Sequence, residues 1–325
     1  MKSGSRIAAV LAAGAAAACL ACTALADAGA EVKALTGART RIVWARDAGD
    51  GHDAFAGGDT FKLMGLDTHD GRGEREILAT PSNYAKPLVT PRGGRVVFTN
   101  RRTDKTFVVN WDGSNLREIT AGWAADVWLE PATGVEWVYM RTGSDTATPI
   151  FRYQIDKPDV REPVWDKTPV DIDSFQLSAD GTRAAGMFPW PESGVAELPG
   201  KTLKIYGKGC WTSLAPDNSY RFWHLDGSHR NLILFDAGGA NKRTVPISNA
   251  FGIDGCEVYH PRWSNNARII TLTGPYRGGI PAGGSGVQLF MGKFNAAFTA
   301  VDQWVQVTCD NKADLFGDAW IDPGN

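Results

Sequence analysis

The segment EVYHPRW, residues 257–263, sets a phenol, an imidazole and a guanidinium side by side as Tyr259, His260 and Arg262. A base next to a fixed cation is what β-elimination of a uronate-containing polysaccharide requires: one group abstracts the proton, and the other neutralises the carboxylate. Arg230 and Arg277 are further candidates for that cation. A second chemistry uses His224, His229 and His260 as imidazole ligands of a divalent metal cofactor, with Asp226 or Glu257 supplying an oxygen, since imidazole suits Zn and Mn-like ions. His224 also stands in the alternating run FWHLDG, where a hydrogen-bonded sheet residue would look the same. The third possibility is recognition without reaction. Trp211, Asp226, His229, Arg230, Glu257, Tyr276 and Arg277 would then contact a glycan or a protein ligand.

Other catalytic patterns fail. Gly283, Gly284, Ser285 and Gly286 do not satisfy G-x-S-x-G, and a β-hairpin would lack the strand-to-helix turn that exposes such a nucleophile. There is no C-x-x-C pair, no G-x-x-x-x-G-K loop and no HExxH. The acidic run from Asp47 to Asp53 misses the spacing of an EF-hand loop and reads as a polar hairpin. The chain has 34 basic and 36 acidic residues without a clustered basic stripe, which disfavours a nucleic-acid partner.

A repeat must position these residues. From Pro87 to Thr120 an apolar strand ends in a Pro-x-Gly turn, a β-branched strand follows over 95–99, then another over 105–111, an Asp112-Gly113 turn, and a last short strand. Related turns recur at WLEPATG (128–134), QLSADG (176–181), SLAPDN (213–218), RWSNN (262–266) and WIDPG (320–324). The spacing of about 40 to 60 residues is that of a propeller blade. The segments between are rich in Val, Ile, Thr, Tyr, Phe and Trp, without a long helical period. The fold class is therefore all-β, a β-propeller of six blades, with seven blades or a β-sandwich as alternatives.

The first blade shows three strands, over 41–46, 60–67 and 74–79, and no innermost strand before them. The tail DAWIDPGN looks like that missing strand. Pairing of 318–323 with 41–46 would close the ring and remove the exposed edges. The pattern of apolar strand, Ser/Thr-Pro-Asp/Gly-Gly turn, β-branched strand and Asp-Gly hairpin resembles the repeats of the TolB-type propeller. Residues 87–120 and 210–247 match it closely, while Ala179 and Asn265 stand where the repeat prefers Pro. Nothing similar to the separate N-terminal domain of TolB precedes the first blade, so the resemblance implies a fold and not a TolB role. The segment HPRWSNNARIITLTGP is also loosely similar to the His-Pro segment of propeller oligogalacturonate lyases, which implies the elimination chemistry above.

Strands alternate direction within a blade, so the outer-to-inner connections share one face with the hairpins between second and third strands. On this top face fall residues 47–59, Asp226, His229 and Arg230, the glycine-rich loop 276–286, and the start of EVYHPRW. His52, His224, His229 and His260 thus map to blades 1, 5 and 6 on or towards one face, and His69 to the other. Most tryptophans, such as Trp44, Trp137 and Trp223, should pack between blades. Trp211 and Trp263, on innermost strands, could instead line the channel and stack on sugar rings, although core packing is the first expectation for them too.

Residues 1–26 form a signal peptide by pattern: Lys2 and Arg6, an apolar run over 7–21, and small residues up to Ala26. The mature domain, 27–325, should begin at Asp27 and be periplasmic or secreted, with no membrane span. Lipidation at Cys22 is disfavoured because Cys19 stands where a lipobox usually has Leu. Of the remaining cysteines, Cys210 and Cys256 introduce neighbouring inner strands and are the expected disulfide, leaving Cys309. The expected protein is an exported, monomeric, non-catalytic binding module for a glycan or protein, with polysaccharide lyase as the alternative.

Overall fold

The computed structural model describes residues 28–51, 53–142, 149–282 and 286–324. The leader 1–26, Asp27, His52 and Gly283 to Ser285 lie outside them. Six separate four-stranded antiparallel sheets form a six-bladed β-propeller; the last also carries a two-residue strand, Ile280–Pro281. The innermost strands are Asp314–Ile321 in blade 1, Ala85–Val89, Trp123–Leu129, Asp171–Leu177, Cys210–Leu214 and Glu257–Trp263. Seven blades and a sandwich are thereby excluded.

The ring closes in blade 1 as the sequence implies. Asp314–Ile321 pairs antiparallel with Thr40–Asp47, setting Ile321 against Thr40 and Asp314 against Arg46. The closing strand starts four residues earlier than expected. Asp314 is the cause: it is wholly buried and accepts hydrogen bonds from Trp44 Nε1 at 2.6 Å and Arg46 Nε at 2.7 Å. A helix, Ala28–Thr36, lies outside the joint between blades 6 and 1. It buries Val32 and Leu35 against the cluster that holds Trp44, Leu289 and Ile321, and its Leu35 carbonyl accepts from Lys293 Nζ at 2.8 Å. Gly37, at φ +76°, lets the chain leave the helix in the left-handed conformation that glycine adopts most readily.

Between blades the packing is aromatic. Trp44, Trp137 and Trp223 are buried as anticipated. Trp263 packs in the same way: it lies 3.6 Å from Trp223, ring centre to ring centre, and is fully buried, so no ring face is left for a sugar.

Two inter-blade joints repeat one device. In blade 3, Asp126 Oδ2 accepts from the Leu177 amide of blade 4 at 2.8 Å, and Trp128 Nε1 donates to the Ala179 carbonyl at 2.9 Å. In blade 1, Asp318 Oδ2 accepts from the Val89 amide of blade 2 at 2.8 Å, and Trp320 Nε1 donates to the Pro91 carbonyl at 2.8 Å. Each tryptophan lies over a turn glycine, Gly181 or Gly93, where an added Cβ would come within 2.5 or 2.6 Å of the ring. Arg262 of blade 6 joins the two: Nη2 meets Asp126 Oδ1 at 2.5 Å and Nε meets Asp318 Oδ1 at 2.8 Å. Three blades are thus clamped across the axis by one guanidinium.

Lys86, buried beside this clamp, donates from Nζ to the Ala125 carbonyl at 2.6 Å and to that of Ile172. Burial, and then the nearby charge of Arg262, push its pKa down to about 7.

Two outcomes test this architecture. Deleting residues 314–325 removes Asp314, Asp318 and Trp320 together and opens the edge of blade 1, so the truncated chain should aggregate or lose its cooperative melt by calorimetry; unchanged melting would sink the closure. Because Lys86 loses its proton more easily when folded than when unfolded, the cost of its charge is complete below pH 7 and fades towards pH 10.5. Urea titrations should therefore show the wild type gaining on Lys86→Met by about 1.4 kcal/mol per pH unit between pH 7 and 10. A flat difference would refute the buried-amine assignment.

Candidate functional site at the top mouth

All six inner strands carry an irregularity in register with their neighbours. In four of them a non-glycine residue takes the left-handed conformation: Lys86 at φ 47°, Trp211 at 50°, His260 at 54° and Phe316 at 55°. For L-residues each such placement costs on the order of 1–2 kcal/mol. A bulge of this kind re-aims a side chain, and these four line one small cavity on the propeller axis, of about 20 Å³, with Asp173 and Arg262. The other left-handed non-glycine residues among the described ones sit in turns and loops, so within the strands this strain falls on one ring of side chains at the top mouth.

An aromatic arc covers blades 5, 6 and 1. The His260 ring lies 4.7 Å from Trp211 and 4.0 Å from Phe316, and Tyr259 contacts His229 at 4.5 Å, Tyr276 at 4.5 Å and Phe55 at 5.5 Å. His260 is 3% exposed, and neither ring nitrogen has a hydrogen-bond partner among the described residues. Burial pushes its pKa down to about 3, so it is neutral at ordinary pH.

Blades 2, 3 and 4 supply a charged arc. Arg101 pairs with Asp173 and lies 5.2 Å from the centre of the Trp123 ring and 5.4 Å from that of Phe316; Arg141 lies 5.4 Å from Trp123. Burial and the neighbouring Asp173 charge raise the pKa of Asp171. For Asp173 burial acts in the same sense, but the charges of Arg101 and Lys86 outweigh it and hold the carboxyl below its usual range. A recess of about 410 Å³ opens here, bounded by Trp123, Arg141, Asp171, Asp173, Pro189 and Trp190.

Of the three residues proposed for elimination, His260 and Arg262 line the axial cavity and Tyr259 lies on the rim, and none has the required properties. Arg262 is already neutralised by two carboxylates, and His260 is too weakly basic. The Tyr259 phenol is raised above its usual pKa by burial and by Glu257, so it keeps its proton.

The metal triad does not assemble. His224 points to blade 4, with Nδ1 3.0 Å from Ser193 Oγ and its ring against Phe235, and burial lowers its pKa to about 4. It is the hydrogen-bonded sheet residue. His229 stays on the rim against Tyr259 and His260 on the axis. Among the described residues no three His, Cys, Asp or Glu side chains are spaced to hold a metal ion. Nor do Asp47 and Asp53 form a calcium loop: Asp47 takes the amides of Gly49 and Gly51 and the hydroxyl of Thr60, while Asp53 takes the amides of Gly57 and Gly58.

The remaining candidates divide. Tyr276 is fully buried, donating to the Ala54 carbonyl at 3.3 Å, and is removed from the contact set. Asp226 holds its own turn through Ser228, Arg230 and Asn231, and Glu257 accepts from the amides of Gly278 and Gly279. Both shape the rim. Arg230 and Arg277 are exposed on it, and Trp211 is half-buried. Cys210 and Cys256 are free thiols, so the expected disulfide is not formed.

Lys86, Arg101, Asp173 and Phe316 were not foreseen. A signal existed for one of them: Lys86, Trp211 and His260 each stand five residues before the turn position occupied by Pro91, Pro216 and Asn265.

No protein-family model and no curated protein sequence matches the chain. Among solved structures it is similar to TolB from Acinetobacter baumannii, at 12% identity and a TM-score of 0.60, over 89% of this chain and 69% of that one. It is also similar to a putative TolB from Agrobacterium tumefaciens, at 11% identity and a TM-score of 0.54, over 86% and 90%. At such identities the likeness is one of architecture: the chain has the TolB-like β-propeller fold.

Proposed function

We propose that this protein is an exported, non-catalytic binding propeller whose top mouth holds a protein partner. One observation carries the reading. Phe251, Ile280 and Trp190, at 79%, 67% and 64% exposed, are the most exposed large apolar side chains among the described residues, and Phe55 follows at 45% after Leu116. By topology these four belong to top-face loops of blades 1, 4 and 6 and of the connection between blades 5 and 6. Apolar side chains spread around a rim suit a protein surface, which buries several anchors at once, better than a sugar, which stacks on one open ring. The strained ring beneath them gives such a surface a rigid centre. Export is supported by the pattern of residues 1–26; no helix among the described residues is long and apolar enough to cross a membrane.

Photo-cross-linking in the producing cell from positions 190, 251 and 280 should yield protein adducts that positions 116 and 160, away from the mouth, do not. Equal adducts from both sets would refute the assignment. A glycan array on residues 27–325 that saturates, while the three positions trap no protein, would move the ligand to sugar. Unsaturated-uronate absorbance that disappears in His260→Ala would overturn the non-catalytic reading. Mass analysis of the exported chain should place its first residue at Asp27; a retained leader would refute processing at that site.

A further inference from the structure

The opposite, bottom mouth contains a cavity of roughly 330 Å³, the size of a small-molecule site. Its walls include Trp128, Trp320 and the turn residues Pro91, Pro131 and Pro216. Asp126 and Asp318 line this cavity and not the axial one above; Arg262, which they grip, lines both and forms the floor between them.

The hydrogen bonds at that floor are unequally used. Asp126 accepts from Val127 N, Leu177 N and Arg262, and Asp318 from Val89 N and Arg262. Every oxygen of the two carboxylates thus accepts at least one hydrogen bond. Arg262 spends Nε and Nη2 on them, and its Nη1 makes no hydrogen bond among the described residues. What the floor offers is a donor, fixed in place from two sides. A fixed donor selects an acceptor oxygen. Two carboxylates around one guanidinium leave a net negative floor that repels a carboxylate or phosphate; an ammonium would have to share an oxygen that a buried donor already occupies, whereas Nη1 can take an acceptor without displacing one.

We infer that the bottom mouth is a second binding site, for a small uncharged molecule that has a flat apolar body and inserts a carbonyl or amide oxygen onto Arg262 Nη1. The body would lie against Trp128, Trp320 and the prolines. This site is independent of the top mouth, and either can fail alone.

Benzamide, benzoate and benzylammonium form a matched neutral, anionic and cationic set for ligand-observed NMR titration of the full mature chain. Benzamide should bind saturably, and the two ions at least tenfold more weakly. Ala179→Trp plugs the rim from an exposed position and leaves the carbonyl that holds Trp128, so it should abolish benzamide binding without changing the melting temperature. If that variant melts lower, Pro131→Trp provides a plug from the other side. Arg262→Met combined with Asp126→Asn and Asp318→Asn removes the donor without stranding buried charge, and should weaken benzamide at least tenfold. Phe251→Ser, on the top face, should leave it unchanged. Absence of saturable benzamide binding, preference for either ion, or binding that survives both plugs would overturn the site.

Discussion

Closure of the sheet into a ring is the constraint on which the rest depends. An open row of blades would leave unpaired strand edges at both ends, and here the last strand of the chain covers the first. That strand does more than pair its backbone. Asp314 anchors Trp44 and Arg46, Asp318 fixes the Val89 amide and grips Arg262, and Trp320 seats on the turn of blade 2. Removing one partner of such a buried ion pair typically costs about 3–5 kcal/mol, because the other charge is left unpaired. The clamp therefore ties the geometry of the axis to the presence of the final strand.

The axis separates two environments. Above Arg262 the side chains in left-handed conformations bring Lys86, Trp211, His260 and Phe316 together, and the mouth is aromatic on one side and charged on the other. Below it the walls are tryptophan and proline. Both depend on the same guanidinium, which is why it cannot serve as the free cation of an elimination reaction. A charge that holds three blades together has little left for a substrate carboxylate.

The fold was legible because turn chemistry repeats: Pro-x-Gly and Asp-Gly at blade spacing fix strand boundaries locally, with no knowledge of the ring. The site was legible only in part. His260 and Trp211 stand out by residue type, whereas Lys86 and Phe316 reach the axis through backbone bulges that no alternation pattern reveals. The repeated D-x-W of DVWLEP and DAWIDP was visible, but its meaning lies in the next blade, where Leu177 and Val89 present their amides. Tyr276 was misjudged for the converse reason. It follows a loop pattern that suits a mouth and is swallowed by neighbours distant in sequence. The Cys210 and Cys256 pairing failed because adjacency of strand starts does not supply the geometry that a disulfide needs.

The helix Ala28–Thr36 gives the closure a further property. The helix comes early in the chain and the closing strand comes at its end, and both bear on the same seam, one from outside and one from the axis. All six blade-to-blade connections follow continuous chain, so the ring is held shut by one non-covalent pairing inside blade 1, between Asp314–Ile321 and Thr40–Asp47, beside a single helix. Protection of the amides in that pairing therefore measures how long the whole molecule stays shut.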